Sequence, residues 1–238
     1  FKVMMGLIKP KKGEVLIDNG SIRSALKEHK LAYVPQSEEI DWDFPINVEE
    51  VVMLGRYRAM GWRRRASQAD RKIVEEALER VDLLPFRKRQ IGMLSGGQKK
   101  RVFIARALAQ RSKILLLDEP FTGVDHTTEH AIIALLRGLK EEGYLILLST
   151  HNLGSIPLFC DEAILLYRSQ IFAKGAVDQI YTQENLEAIF GCDLRTLIRQ
   201  QSAHQCAPES AHSEHQLYSA ATSLCDDACD SIEERKDD

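Results

Sequence analysis

The chain has no apolar run approaching the about 18–20 residues needed to cross a bilayer, and no basic-plus-apolar targeting pattern is found among its residues. Its five cysteines, Cys160, Cys192, Cys206, Cys225 and Cys229, are odd in number and scattered, which argues against a disulfide scaffold and for a reducing compartment. Aromatics make up only 7% of the residues and the net charge is −3, a poor match to the basic, aromatic-bearing surfaces that grip nucleic acid. Nowhere does Gly-x-x-x-x-Gly-Lys-[Ser/Thr] occur, so the loop that cradles β- and γ-phosphates with its amides and lysine is missing from these residues. What is present suffices for a folded core: 238 residues, 44% hydrophobic and 28% charged.

Two segments carry chemistry. Leu94-Ser95-Gly96-Gly97-Gln98-Lys99-Lys100-Arg101 precedes a helix-length stretch, Val102 to Ala109, and Ile114-Leu115-Leu116-Leu117-Asp118-Glu119-Pro120 follows it. Ser95 is expected to cap a helix beginning at about Gln98, while Gly96 and Gly97 let bare backbone approach a ligand. Free N–H groups and the positive helix end then face outward, which makes an anion site. The second segment reads as a buried apolar strand ending in adjacent carboxylates; strand side chains alternate, so Asp118 and Glu119 project differently and suit different roles. Alone, Ser-Gly-Gly is a flexible turn and Asp-Glu after an apolar run is a solvated loop start. Their order, with one helix between them, makes them a pair.

These segments resemble the LSGGQ signature and Walker B strand of ABC-type ATPases, the ATP-binding subunits of ABC transporters. The resemblance covers about residues 1–195 and implies an α/β fold: a P-loop NTPase-like ABC ATPase core with a mostly parallel sheet, an antiparallel β hairpin and an inserted α-helical subdomain. It implies that Ser95, Gly96, Gly97 and Gln98 bind the γ-phosphate of an ATP held by a partner copy. Asp118 would order Mg²⁺ and Glu119 would polarise the attacking water, as suits a reaction governed by positioning and charge neutralisation.

Three further positions follow from the same resemblance. Gln36, after the short strand Leu31 to Val34, matches the Q-loop glutamine that helps ligate the metal and senses the permease. His151, after the apolar strand Tyr144 to Thr150, matches the H-loop histidine that contacts the γ-phosphate. Gly123-Val124-Asp125 stands where the family has its D-loop, with Val124 in place of the more usual leucine. Phe1 to Pro10 resembles the end of the helix that follows the phosphate loop in relatives, and the chain begins with Phe. A truncated piece is therefore expected, one that as written binds ATP poorly and is inactive.

The punctuation sets the organisation: a strand and turn at Gly13–Gly20, a strand at Leu31–Val34, and a helical pattern from about Asn47 to Val81. There Val48, Val51, Val52 and Leu54 form one apolar stripe, and Ile73, Val74, Ala77, Leu78 and Val81 form another. An ABC ATPase domain over 1–198, with its helical subdomain at about 45–95, and a tail over 199–238 are expected. From Ser202 onward nine acids face two bases, so that stretch carries −7 against +4 for the remainder and is expected to be disordered. Its His204, Cys206, His212, His215, Cys225 and Cys229 match no closed zinc module.

Asp41-Trp42-Asp43-Phe44-Pro45 with Val51 to Tyr57 resembles the divalent-metal branch, whose ATPases energise manganese, zinc or iron uptake together with a solute-binding protein. In that family the surface receives the membrane permease, making Phe44 and the segment near Met53 candidates for a helix-in-groove contact. Arg56, Arg58, Arg63, Arg64 and Arg65 around Trp62 read either as a solvated charge run or as a face meeting anionic headgroups. The expected function is an ATPase subunit importing a divalent metal with ATP and Mg²⁺, as a homodimer bound to a permease at the cytoplasmic face of the plasma membrane, with no nucleic-acid partner. The rivals are a soluble ABC-type ATPase not coupled to transport and an inactive interaction module; Glu119 argues against the latter.

Overall fold

The computed structural model describes residues 1–36, 42, 44–62 and 64–190, except for the side chain of Phe190. The acidic tail with its histidines and cysteines, and Asp41, Asp43 and Arg63, lie outside the described residues. In chain order the elements are β1 (Leu16–Ile17), β2 (Gly20–Ser21), α1 (Ile22–Lys27), β3 (Leu31–Val34), α2 (Val48–Met53), α3 (Gln68–Arg80) and α4 (Gly96–Ala109). Then come β4 (Ile114–Asp118), α5 (His126–Glu141), β5 (Leu145–Ser149), α6 (Ile156–Phe159), β6 (Glu162–Tyr167), β7 (Gln170–Ala176), α7 (Val177–Ile180) and α8 (Gln183–Phe190).

Strands β3, β4 and β5 form a parallel three-stranded sheet with β4 in the centre. Its middle residues Leu115, Leu116 and Leu117 are fully buried, the reason this strand is one unbroken apolar run rather than an alternating one. Among the described residues two antiparallel hairpins, β1–β2 and β6–β7, complete the strands. The fold is α/β, with a parallel sheet, antiparallel hairpins and helices packed around them.

The central helix is α4. Val102, Phe103, Ile104, Ala105, Ala107, Leu108 and Ala109 are all buried, so it is apolar around most of its girth, as a helix surrounded by other elements must be. One continuous core runs from Val48, Val51 and Val52 of α2 and Val74, Ala77 and Leu78 of α3, through α4, to Leu115, Leu117 and the inner face of α5. A Cβ on Gly55 would stand 2.2 Å from the Arg106 carbonyl oxygen, so glycine is what lets the chain after α2 lie backbone to backbone against α4.

The stretch from Asn47 to Val81 folds as two helices, one for each apolar stripe. Helix α2 starts with a capping box between Asn47 and Glu50, passes into a 3₁₀ turn at Leu54–Arg56, and a turn region with Gly61 at φ +57° intervenes before Ser67 and Asp70 form a second capping box. At the start of the chain, Gly6 (φ +67°) donates to the Val3 carbonyl at 2.9 Å and Leu7 to the Lys2 carbonyl at 2.9 Å. This is the Schellman pattern with which helices close.

Candidate functional site

The C-terminal ends of the parallel strands gather the first group of side chains. Asp118 pairs with Ser149 across β4 and β5, while Tyr33 pairs with Leu116, two residues before Asp118; with a period of two, Tyr33, Asp118 and Ser149 share one face. The hydroxyls close on the carboxylate accordingly. Tyr33 Oη donates to Asp118 Oδ2 at 3.1 Å and Ser149 Oγ donates to Asp118 Oδ1 in a short hydrogen bond. Each Asp118 oxygen keeps a further lone pair for a cation.

Glu119 follows with φ +50°, a left-handed conformation that costs a residue with a Cβ on the order of 1–3 kcal/mol. The surroundings hold it there. Its amide lies 3.1 Å from both the carbonyl oxygen and the hydroxyl of Ser149, and its Oε2 accepts from Thr122 Oγ1 at 3.0 Å. His151 Nδ1 stands 2.7 Å from the same Oε2, so Nδ1 carries the proton of that contact and Nε2 is left for a ligand. The Glu119 side chain is 17% exposed and that of His151 71%, which sets the pair at the rim of the sheet, open to a substrate. Thus Asp118, Glu119 and His151 form one cluster.

The second group is built on the first turn of α4. Ser95 is the N-cap: its Oγ accepts from the Gln98 amide at 3.3 Å while Gln98 Oε1 accepts from the Ser95 amide at 3.1 Å. The helix begins at Gly96 rather than Gln98, because the cap reaches three residues forward. That box uses the amides of Ser95 and Gln98. Those of Gly96 and Gly97 have no acceptor within the helix and project with its positive end, and Ser95 keeps its own O–H to donate.

Glycine is needed here for a second reason. A Cβ on Gly97 would lie 2.7 Å from Thr128 Oγ1, and one on Gly96 would lie 3.4 Å from the Gly123 carbonyl oxygen. The start of α4 is therefore packed against the start of α5. Asp125 is the N-cap of α5, accepting from the Thr128 amide at 2.9 Å and from its hydroxyl at 2.7 Å, and these bonds hold its carboxyl below the usual carboxylate range. Asn152, next to His151, donates to Glu129 Oε1 at 3.2 Å, so α5 also ties the loop after β5 to the same region.

Gln36 is exposed two residues beyond the end of β3, and its carbonyl oxygen accepts from Lys100 Nζ of α4 at 2.7 Å. Sequence reasoning missed Ser149, Tyr33, Thr122 and Thr128. The first two were detectable from strand register, being on the face of Asp118; the threonines depend on loop geometry that no periodicity encodes.

On the helical side, Trp62 is 95% exposed and Phe44, Leu54, Tyr57 and Met93 are exposed with it. Trp42 instead packs edge-on to Phe103, with Lys99 Nζ 4.2 Å from its ring centre. The basic face is smaller than expected. Arg56 turns inward, its Nε 3.0 Å from Asp70 Oδ1 and its Nη1 donating to the Ala109 carbonyl at 3.0 Å, while the Arg64 guanidinium stacks 4.0 Å over Tyr57. No helix among the described residues is long and apolar enough to cross a membrane.

Residues 1–122 match the ABC transporter family. The chain is similar to the chelated iron transport system membrane protein YfeB of Yersinia pestis, 56% identical over 195 residues that cover 82% of this chain and 66% of that protein. It is similar to the manganese transport system ATP-binding protein MntA of Synechocystis sp., 54% identical over 80% of this chain and 73% of that one. Among solved structures, an inward-facing metal-chelate type ABC transporter superposes with a TM-score of 0.70 at 26% identity, over 81% of this chain and 72% of its own. The chain thus spans 66% and 73% of the length of the two curated relatives.

Proposed function

The chain belongs to the ABC transporter family, and from that premise we propose that it is the ATP-binding and ATP-hydrolysing subunit of an importer for a transition metal, manganese, iron or zinc. The observation that carries the ATPase reading is the Asp118–Glu119–His151 cluster, clamped by Ser149 at the end of the central parallel strand. The metal cargo is supported by the iron and manganese systems named for the two relatives and by the metal-chelate transporter of similar fold.

The donor set fits Mg²⁺ and a polyphosphate. Asp118 is an anionic oxygen ligand held by two hydroxyls, with Gln36 at the same edge of the sheet, and the glycine amides at the start of α4, which have no acceptor within the helix, suit a terminal phosphate. Bound Mg²⁺ would supply charge neutralisation and orientation of the phosphates. Glu119 then holds and polarises the attacking water, taking up its proton at Oε. His151, bonded through Nδ1, fixes the carboxylate and meets the terminal phosphate from its other nitrogen. Ser95 and the amides of Gly96 and Gly97 grip the phosphate bound by a second copy, with Asp125 at the contact between copies. The homodimer docks on a membrane permease at the cytoplasmic face of the plasma membrane and serves an extracytoplasmic metal-binding protein indirectly. Phe44 and the exposed apolar residues near Met53 would meet the permease.

Glu119→Gln, in the protein expressed from its own gene, tests the reading. Glutamine keeps the acceptor oxygen for Thr122 and His151 but cannot act as a base. ATP turnover should fall by about 10²- to 10⁴-fold while ATP-bound dimers accumulate on size exclusion. Turnover at the wild-type rate would remove Glu119 from the chemistry, and a protein with no turnover in the wild type would favour an interaction module.

A further inference from the structure

The first turn of α5 carries a feature that neither nucleotide chemistry nor packing uses. His126 and His130 lie one helical turn apart, both exposed, with Nε2 to Nε2 at 3.0 Å and ring centres 4.1 Å apart. Two solvated imidazoles on a helix surface ordinarily splay into water; these converge through the same nitrogen of each ring. At 3.0 Å the two nitrogens share one N–H···N hydrogen bond, and the same separation is what one cation spans when it replaces that proton and bonds both nitrogens at about 2.1 Å with a bite near 90°. Spacing i, i+4 places two histidines on one helix face, the arrangement by which helices present paired imidazoles to a metal.

We propose that His126 and His130 form a chelating site for an imidazole-preferring divalent transition metal, of the class of Ni²⁺, Zn²⁺ or Fe²⁺. The neighbouring acids are engaged elsewhere: Asp125 accepts from Thr128, and Glu129 accepts from Asn152. Among the described residues no group of three or more His, Cys, Asp or Glu side chains could hold a metal. Water therefore completes the coordination shell, so the site is open and exchanges its ion readily. Oxygen-preferring Mg²⁺ and Mn²⁺ are poor competitors for it.

The placement gives the site a consequence. A cation joining residues i and i+4 staples the turn that seats Thr128 against Gly97 and holds Asp125 in its cap. Filling it would stiffen the joint between the start of α4 and the start of α5. On the transport reading above, on which this consequence alone rests, an imported ion that accumulates in the cytoplasm would act back on the ATPase at this joint.

The test is Zn²⁺ and Ni²⁺ titration of the 238-residue chain by calorimetry, beside His126→Ala, His130→Ala and the double variant. Alanine favours the helix, so the variants should keep wild-type circular dichroism. One class of sites should weaken by about tenfold or more in either single variant, with no further loss in the double variant and with the binding contributed by the tail histidines and cysteines unchanged. A tenfold excess of Mg²⁺ should not displace the ion. Identical stoichiometry and affinity in all four proteins would overturn the proposal. This binding assay involves no nucleotide, so its failure is separate from failure of the ATPase reading. In the protein expressed from its own gene, Zn²⁺ inhibition of turnover that is lost in the double variant would support the consequence, and inhibition equal in both proteins would refute it.

Discussion

Ser149→Ala is the perturbation that most directly probes how the strained acid is held. In the wild type one hydroxyl donates to Asp118 Oδ1 and stands 3.1 Å from the Glu119 amide. Alanine removes both roles, but the Glu119 amide retains the Ser149 carbonyl oxygen at 3.1 Å and Asp118 retains Tyr33 at 3.1 Å. The change therefore removes one hydrogen bond to a charged carboxylate, on the order of 1.5–3 kcal/mol. The site lies at the rim of the sheet and Tyr33 remains in place, so the lower end applies. The Mg²⁺ concentration giving half-maximal ATPase rate should then rise about tenfold, since 1.4 kcal/mol is one decade. The assay is turnover against Mg²⁺ at saturating ATP in the protein expressed from its own gene, with a thermal melt alongside. A purely structural serine would lower Tm and kcat while leaving the Mg²⁺ midpoint within twofold, and that outcome would refute the reasoning. Tyr33→Phe should move the midpoint in the same direction by less.

Three other outcomes are expected. Gly55→Ala places a Cβ 2.2 Å from a backbone carbonyl of α4 that has no freedom to swing aside, and should cost about 3 kcal/mol, read as a Tm drop of about 6–12 °C. Gly97→Ala pushes on Thr128 instead, a side chain that can yield, so the loss should be smaller and Thr128→Ala in the same chain should recover most of it; an unrecovered loss would assign it elsewhere. Asp70, only 7% exposed, has its carboxyl held below the usual carboxylate range by the Ser67 hydroxyl first, then the Ser67 amide and Arg56. A lowered folded pKa stabilises fully above the unfolded value and is lost as pH falls through the folded one. In urea melts the stability gap between wild type and Asp70→Asn should thus be constant from pH 7 to pH 5 and close below about pH 4; a gap persisting to pH 2 would contradict it.

Much of this was legible because the informative residues are fixed by short-range rules. The Ser95 cap with Gln98 three residues on is a local signature, and the leucine run of β4 with its terminal acids announces a buried parallel strand without reference to the rest of the chain. What stayed hidden was tertiary. Arg56 sits in a run of arginines that reads as solvated, yet the close approach of Gly55 to α4 carries it inward to Asp70 and the last turn of α4. The left-handed conformation of Glu119 is equally invisible to pattern, because glutamate has no preference for it and its tertiary contacts to Ser149, Thr122 and His151 sustain it. The His126–His130 pair lies between these extremes: its spacing is plain in the sequence, its convergence is not.

The two candidate groups differ in how they are anchored, and that difference bears on how they would work. The acids stand on the parallel sheet, where β4 is bonded on both sides and its central leucines are sealed. The glycine amides stand at the tip of α4, whose apolar sides are shared with α2 and α3 as well as with the sheet. A displacement of α2 and α3 must therefore drag α4 and its amides with it, because interiors packed at this density transmit shifts rather than absorb them. The sheet-borne acids share that core but are held besides by ladder rungs on both sides of β4, so they should move less. The exposed Trp62, Tyr57 and Leu54 lie on the α2–α3 side, so on the proposed reading pressure from a docked permease would reach the glycine amides before the carboxylates. On the proposed reading, substitutions such as Trp62→Ala should uncouple ATP turnover from transport while leaving Mg²⁺ dependence unchanged, measured as ion uptake against ATPase rate in reconstituted vesicles. A shifted Mg²⁺ midpoint in that variant would show that the two anchors are not mechanically separate.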